Sequence, residues 1–245
     1  MAIPDELKQN RNLCQHPIAC PKTLLCRPFL PGDFQLKGAR IAGMVRQRRT
    51  GEIEMIPSIR ECFDLMDKYR MLDNIRSHSV VVAKVARLIA QGLREAGIDV
   101  SVKTTTAGAL LHDIGKTASL KSKQDHSEIG KEICLKNHLD EIAPIVAEHV
   151  RLKDYELNGS YSEKEIVFYA DKRVKHDQIV SLNERLVYIL ERYSKNQDEL
   201  SKAIKANFAL CQQIQQKLFS KLTFTPESLS TMALNQDTLI RINRD

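Results

Sequence analysis

A chain of 245 residues with 42% hydrophobic and 28% charged residues is long enough for one sizeable core and too apolar for a disordered segment. Its formal charge of +6 suits phosphorylated or other anionic ligands without choosing among them, and the absence of Trp with only 5% aromatic residues leaves few stacking platforms for single-stranded nucleic acid, which is therefore not the favoured partner. No apolar run approaches the ~20 residues that span a bilayer, no apolar signal-peptide core is present, and the six cysteines form no Cys-x-x-Cys pair, so a soluble protein with reduced thiols in a cytoplasm and no membrane partner is expected.

Residues 1–57 carry prolines at positions 4, 17, 21, 28, 31 and 57, which rule out long helices and predict an irregular arm. Cys14, His16, Cys20 and Cys26 fall within it, but their six-residue steps match no common zinc spacing, and buried or idle thiols are the simpler reading. The stretch from Arg40 to Glu54 has four arginines and two glycines and reads as a hairpin, a mobile basic loop or a solvated charge run.

From Pro57 onward the periodicity is helical. Ser58 and Glu61 make a capping box for a helix whose apolar face is Ile59, Cys62, Phe63, Leu65, Met66, Tyr69 and Met71, closing at the Asp73–Asn74 turn. A second helix runs from about Ser77 to Ala96, with Gly97 as its stop and His78 in its first turn. A third, about Val102 to His112, starts in a threonine-rich turn and ends in Leu111-His-Asp-Ile-Gly-Lys116. Neighbouring side chains on a helix diverge by about 100°, so His112 and Asp113 converge on one object only near the helix end, which Gly115 permits. Adjacent nitrogen and oxygen ligands suit a divalent transition metal such as Zn, Mn or Fe. Residues 117–125 read as a polar loop. Helices follow over about His126 to Asn137 and Leu139 to Arg151, the latter broken or kinked at Pro144.

Ser162 and Glu165 cap the next helix, which sets Asp171 on an otherwise apolar face. A buried carboxylate has to be paired, protonated or metal-bound. Lys172, Arg173 and Lys175 follow, either docking a phosphate or forming a solvated turn. Residues 181–222 are one or two amphipathic helices, packing material or a homodimer surface, and residues 223–245 a polar tail containing a short strand or nothing ordered. His16, His138 and His176 read as ordinary side chains.

The order His78, His112-Asp113, His126, His149, Asp171 resembles the HD-domain superfamily of metal-dependent phosphohydrolases, in its HDIG variant, over roughly residues 58–195. The resemblance implies an all-α HD-domain helical bundle over 58–195, flanked by the arm (1–57) and a C-terminal helical extension (196–245). It implies one or two divalent metals per chain, Mn, Fe, Ni or Mg. His78, His112, Asp113 and Asp171 would hold the first, and His126, His149 and a bridging Asp113 the second. Asp113 and Lys116 would be catalytic, with Lys116, Lys172 and Arg173 binding substrate phosphate. The expected activity is hydrolysis of a phosphomonoester or phosphodiester of a nucleotide-like small molecule. The glycine-tyrosine-proline signature of the cyclic-di-GMP branch is missing. A mixed-valent di-iron oxygenase and a nucleotide-binding regulatory module without turnover are the alternatives.

Overall fold

The computed structural model describes residues 45–47, 53–194 and 197–234, all of them in the unit Arg40–Asp245. Cys14, His16, Cys20 and Cys26, with the expectations for them, and the last residues of the tail lie outside the described residues. The fold is all-α, with two short antiparallel hairpins among the described residues. The first pairs β1 (Val45–Gln47) with β2 (Ile53–Met55), the hairpin among the three readings of that stretch.

Helix α1 (Ile59–Lys68) opens as expected. The Ser58 hydroxyl accepts the Glu61 N–H at 3.3 Å while the Glu61 carboxylate accepts the Ser58 N–H at 2.7 Å. It ends earlier than the sequence suggests, because Arg70 adopts φ 51°, and α2 (Asp73–Glu95) starts where the turn was expected. Gly97, at φ 79°, follows the C-cap of α2.

Helix α3 (Val102–Leu111) is the centre of the bundle. Ser101 caps it, and every residue from Thr104 to Leu111 is buried, so it has no solvent face and no amphipathic period. The threonines belong to the helix rather than to a preceding turn. Thr105 and Thr106 donate to the carbonyls of Ser101 and Val102 at 2.8 and 2.6 Å, which satisfies their hydroxyls inside the core. Helices α2, α6 (Ala143–Glu148) and α7 (Glu163–Lys172) pack around α3. Burial of side chains such as Leu110, Leu111, Ile166 and Phe168 contributes about 1.5–3 kcal/mol each.

Two expectations change in the middle of the chain. The polar stretch after Gly115 is helical over α4 (Lys116–Ser122), a short helix with no buried residue, closed by Lys123 at φ 62°. Such a segment lacks the apolar period that reveals helices in sequence. The expected Leu139–Arg151 helix is shortened to α6, because His138 (φ 59°) turns the chain and Pro144 sits in the first helical turn, where its missing N–H leaves no gap. Between them α5 (His126–Lys136) forms as expected, capped by Asp125.

After α7 the chain makes the second hairpin, β3 (Val174–Lys175) with β4 (Gln178–Ile179), which the sequence did not announce. Helices α8 (Leu182–Tyr193) and α9 (Asp198–Phe219) follow, and Phe208, Cys211, Ile214 and Leu218 of α9 join the common core. Lys217 of α9 is buried against Glu165, with its ammonium 2.8 and 2.9 Å from the two carboxylate oxygens, and so ties α9 to the start of α7. In place of a strand, the tail forms a 3-10 turn (Pro226–Ser228) and α10 (Leu229–Leu234), which packs on α2. No helix among the described residues is long and apolar enough to cross a membrane.

Candidate metal centre

Six ligand-type side chains, drawn from α2, the α3–α4 junction, α5, the end of α6 and α7, meet at one point in the bundle. Two imidazoles reach it by the same local device. His112 and His149 are the C-caps of α3 and α6, where carbonyls lack partners. Each ring turns back and donates Nδ1–H to the carbonyl three residues earlier, Ala109 at 2.7 Å and Val146 at 2.6 Å. That bond fixes the tautomer and leaves Nε2 bare and pointing inward. His78 is fixed similarly, its Nδ1 2.8 Å from the carbonyl of His176 in the β3–β4 turn.

The Asp113 carboxylate divides the cluster. Oδ2 lies 3.5 Å from His112 Nε2 and 4.0 Å from His78 Nε2, whereas Oδ1 lies 3.4 Å from His126 Nε2 and 3.5 Å from His149 Nε2. Asp171 Oδ1 completes the first group, 3.1 Å from His78 Nε2 and 3.7 Å from His112 Nε2. In the second group the His126 and His149 Nε2 atoms are 3.1 Å apart. Both trios, His78 with His112 and Asp113 and Asp113 with His126 and His149, are compact enough to hold a cation. A metal fits by a direct criterion: His112 Nε2 is buried with no hydrogen-bond partner. A bare buried lone pair beside two carboxylates is accounted for by a cation.

Three lysine and arginine side chains named from the sequence have unequal places. Lys116 reaches Asp113 Oδ2 at 2.9 Å while 43% of its side chain stays exposed, so it stands at the mouth of the cluster. Lys172 is only 4% exposed. Its ammonium donates to the carbonyl of His149 and, at 3.2 Å, to Asp171 Oδ2, with the Phe168 ring 4.1 Å away. It thereby links a ligand of one group to the backbone of a ligand of the other. Arg173 is also buried and donates to Val180 O, Tyr169 Oη and Pro226 O at 2.7, 2.6 and 3.0 Å. Neither Lys172 nor Arg173 faces solvent in the manner expected of a phosphate-docking side chain. The end of α7 turns them inward: Lys172 braces Asp171 and the His149 backbone, while Arg173 ties α7 to Val180 and Pro226.

His176, read from the sequence as an ordinary side chain, supplies the carbonyl that orients His78. Residue type carries no signal for such a role, because any residue offers a carbonyl; the signal is the turn itself.

Burial pushes the His112 imidazole down to about 3, with His149 and His78 adding to it and Asp113 and Asp171 opposing. Burial, His149 and Lys116 push His126 down to about 4. Burial alone would raise the Asp113 carboxyl, but Lys116 and His112 outweigh it and hold it well below the usual carboxylate range. Lys172 and His78 do the same for Asp171. In the unfolded chain these imidazoles take up protons near pH 6.5, and in the fold they resist until far lower. Below about pH 6.5 the unfolded state therefore binds more protons, and stability drops as pH falls toward the folded values. The depressed carboxylates act in the same direction below about pH 4. The melting temperature of chelator-treated protein is expected to fall steadily from pH 7 to pH 4; a flat profile would contradict neutral, buried imidazoles.

Comparison with known proteins adds to this geometry. Residues 75–196 match the family model described as HD domain. Over 169 residues, 62% of this chain, the sequence is 30% identical to a tRNA (cytidine(56)-2'-O)-methyltransferase of Picrophilus torridus, covering 46% of that protein. It is 39% identical over 77 residues to a ribonuclease Y of Pseudothermotoga lettingae, which is 31% of this chain and 14% of that one. An uncharacterized protein of Methanocaldococcus jannaschii is 27% identical over 150 residues, 55% of this chain and 86% of its own length. The chain thus spans less than half the length of the methyltransferase and ribonuclease Y relatives it matches. No solved structure matches it at comparable significance.

Proposed function

Because residues 75–196 make this chain a member of the HD-domain family, we propose that it is a metal-dependent phosphohydrolase acting on a phosphomonoester or phosphodiester of a nucleotide-like substrate. The observation that carries this reading is the partnerless, buried Nε2 of His112 at the junction of two ligand groups joined by the two oxygens of Asp113. His78, His112, Asp113 and Asp171 would hold one divalent cation, and Asp113, His126 and His149 a second. Bound there, such cations supply positive charge to a phosphoryl oxygen and acidify a water molecule.

The protein's own part is to hold the donors before the substrate arrives. The Nδ1 bonds to Ala109 O and Val146 O keep the His112 and His149 rings aimed, burial holds His112 neutral, and Lys172 fixes Asp171. Lys116, partly exposed beside Asp113, is placed to neutralise a phosphate oxygen at the mouth. Asp113 cannot act in isolation from the cations, since both of its oxygens face ligand groups.

A second reading, a phosphodiesterase acting on RNA, is favoured by the names of the relatives, a ribonuclease and a tRNA-modifying enzyme, and by the charge of +6. Metal-stripped protein reloaded in parallel with Mn, Fe, Ni or Mg separates the options when offered aryl phosphomonoesters, aryl phosphodiesters and nucleotides. The expected result is turnover of at least one ester that disappears on chelation and returns with metal. Stoichiometric metal with no turnover of any ester would identify a binding module instead, and oxygen consumption with iron would identify an oxygenase.

A further inference from the structure

The molecule gathers a second set of charged groups beside this site, on α8 and the β3–β4 hairpin. Arg185 and Tyr188 lie three residues apart and so share a face of α8. The Arg185 guanidinium carbon is 5.5 Å and the Lys175 ammonium 4.9 Å from the centre of the Tyr188 ring, and the His176 ring meets that ring edge-on at 5.4 Å. Like charges have thus been brought together around one aromatic. Neither Lys175 nor Arg185 forms a salt bridge among the described residues, and Arg185 Nε is buried without a hydrogen-bond partner. Glu184, on the same helix, is taken up by the N–H and hydroxyl of Ser181 at 2.8 and 2.7 Å. An anion is the missing partner.

The position of the set says what kind of anion. At one end, the turn that carries His176 is the one whose carbonyl orients His78, 2.8 Å away. At the other, Tyr193 at the end of α8 is a neighbour of Lys116. From Arg185 to Tyr193 the helix axis advances about 12 Å, which is roughly the axial length of three or four nucleotides of one strand. The lysines paired with Asp113 and Asp171 are Lys116 and Lys172, not the cations at the Arg185 end, which are therefore placed for phosphates further along a chain.

We propose that Lys175, Arg185 and Tyr188 form a backbone-binding subsite for a single-stranded oligonucleotide whose reacting phosphate lies at the Asp113 cluster. The inference rests on the phosphohydrolase reading and names the substrate class of that site. Charge on Lys175 and Arg185 pairs with successive phosphates, and Tyr188 holds the two cations at a fixed spacing.

The test is equilibrium binding of a fluorescein-labelled octauridylate to the full chain, followed by anisotropy in the presence of chelator so that no turnover is required. Hydrolysis and strand binding are thereby read separately, and failure of one is not failure of the other. Lys175→Gln and Arg185→Gln are each expected to weaken binding several-fold, and the double variant to flatten the dependence of log Kd on log salt by about 1.4, roughly 0.7 for each phosphate contact on a single strand. Arg185→Lys should restore part of the affinity. Lys202→Gln, which removes an exposed cation of α9 paired with Glu199, serves as the control and should leave binding unchanged. An unaltered Kd and salt slope in a double variant that melts like the parent would overturn the proposal. So would equal weakening in Lys202→Gln, or displacement of the octamer by uridine monophosphate at equal concentration.

Discussion

On the proposed two-cation reading, replacing Asp113 with Ala is expected to remove both metals at once and lower phosphate-ester hydrolysis by about ten-thousand-fold. The reason is geometric: Oδ2 faces His78 and His112, Oδ1 faces His126 and His149, and no other described carboxylate lies within 4 Å of ring nitrogens from both groups. Stabilisation of a phosphoryl group by bound cations amounts to several kcal/mol, and each 1.4 kcal/mol is a factor of ten in rate. His149→Ala takes one donor from the second group only. His78, His112, Asp113 and Asp171 remain in place, so that variant should retain about one metal per chain where Asp113→Ala retains none. Folding should survive the loss of Asp113, because Lys116, its 2.9 Å partner, has access to water. Elemental analysis of the two purified variants, with circular dichroism to confirm the fold, separates the outcomes. Full metal content in Asp113→Ala would refute a shared bridging carboxylate.

This expectation could be written from the sequence as far as the identities of the six side chains, because metal ligation demands residue types. His78, His112, Asp113, His126, His149 and Asp171 are gathered into one set by an order that resembles the HD-domain superfamily, and their helices are marked by capping boxes such as Ser162–Glu165. The division of labour between the two oxygens of Asp113 is a property of three dimensions. So are the bonds that aim the rings, which come from the carbonyls of Ala109, Val146 and His176 and leave no trace in residue type. Lys172 and Arg173 show the opposite failure. Their charge suggested a surface role, whereas the register of α7 turns them into the core, where hydrogen bonds to His149, Tyr169 and Val180 compensate their burial. The α4 helix escaped notice because Thr117 to Ser122 buries nothing and so has no pattern to display.

Gly115→Ala is expected to be the most disruptive small substitution near the site. A Cβ at Gly115 would lie 2.2 Å from the His126 carbonyl oxygen, 2.6 Å from the Gly130 nitrogen and 3.1 Å from the Gly130 Cα. All three are backbone atoms of α5, so relief requires moving the helix that carries His126. Overpacking of this kind costs about 1–3 kcal/mol, occasionally more. At the upper end the melting temperature of a chain this long drops by about 6–12 °C. Gly159→Ala is the matched comparison. There the added methyl meets only Glu156, whose exposed carboxylate can turn away and whose Cβ, at 2.8 Å, has to shift with an exposed turn rather than with a helix that carries a ligand, so a smaller change is expected. The two effects also differ in kind. Displacing α5 moves His126 away from Asp113 Oδ1 while leaving His78, His112 and Asp171 undisturbed, so Gly115→Ala should lose the second metal before it loses the first. A variant that keeps both metals with unchanged affinity would show that α5 adjusts without carrying its histidine along. The glycine of the Leu111–Lys116 motif would then serve the chain turn alone, and the tight contact between α4 and α5 would have no part in assembling the metal centre.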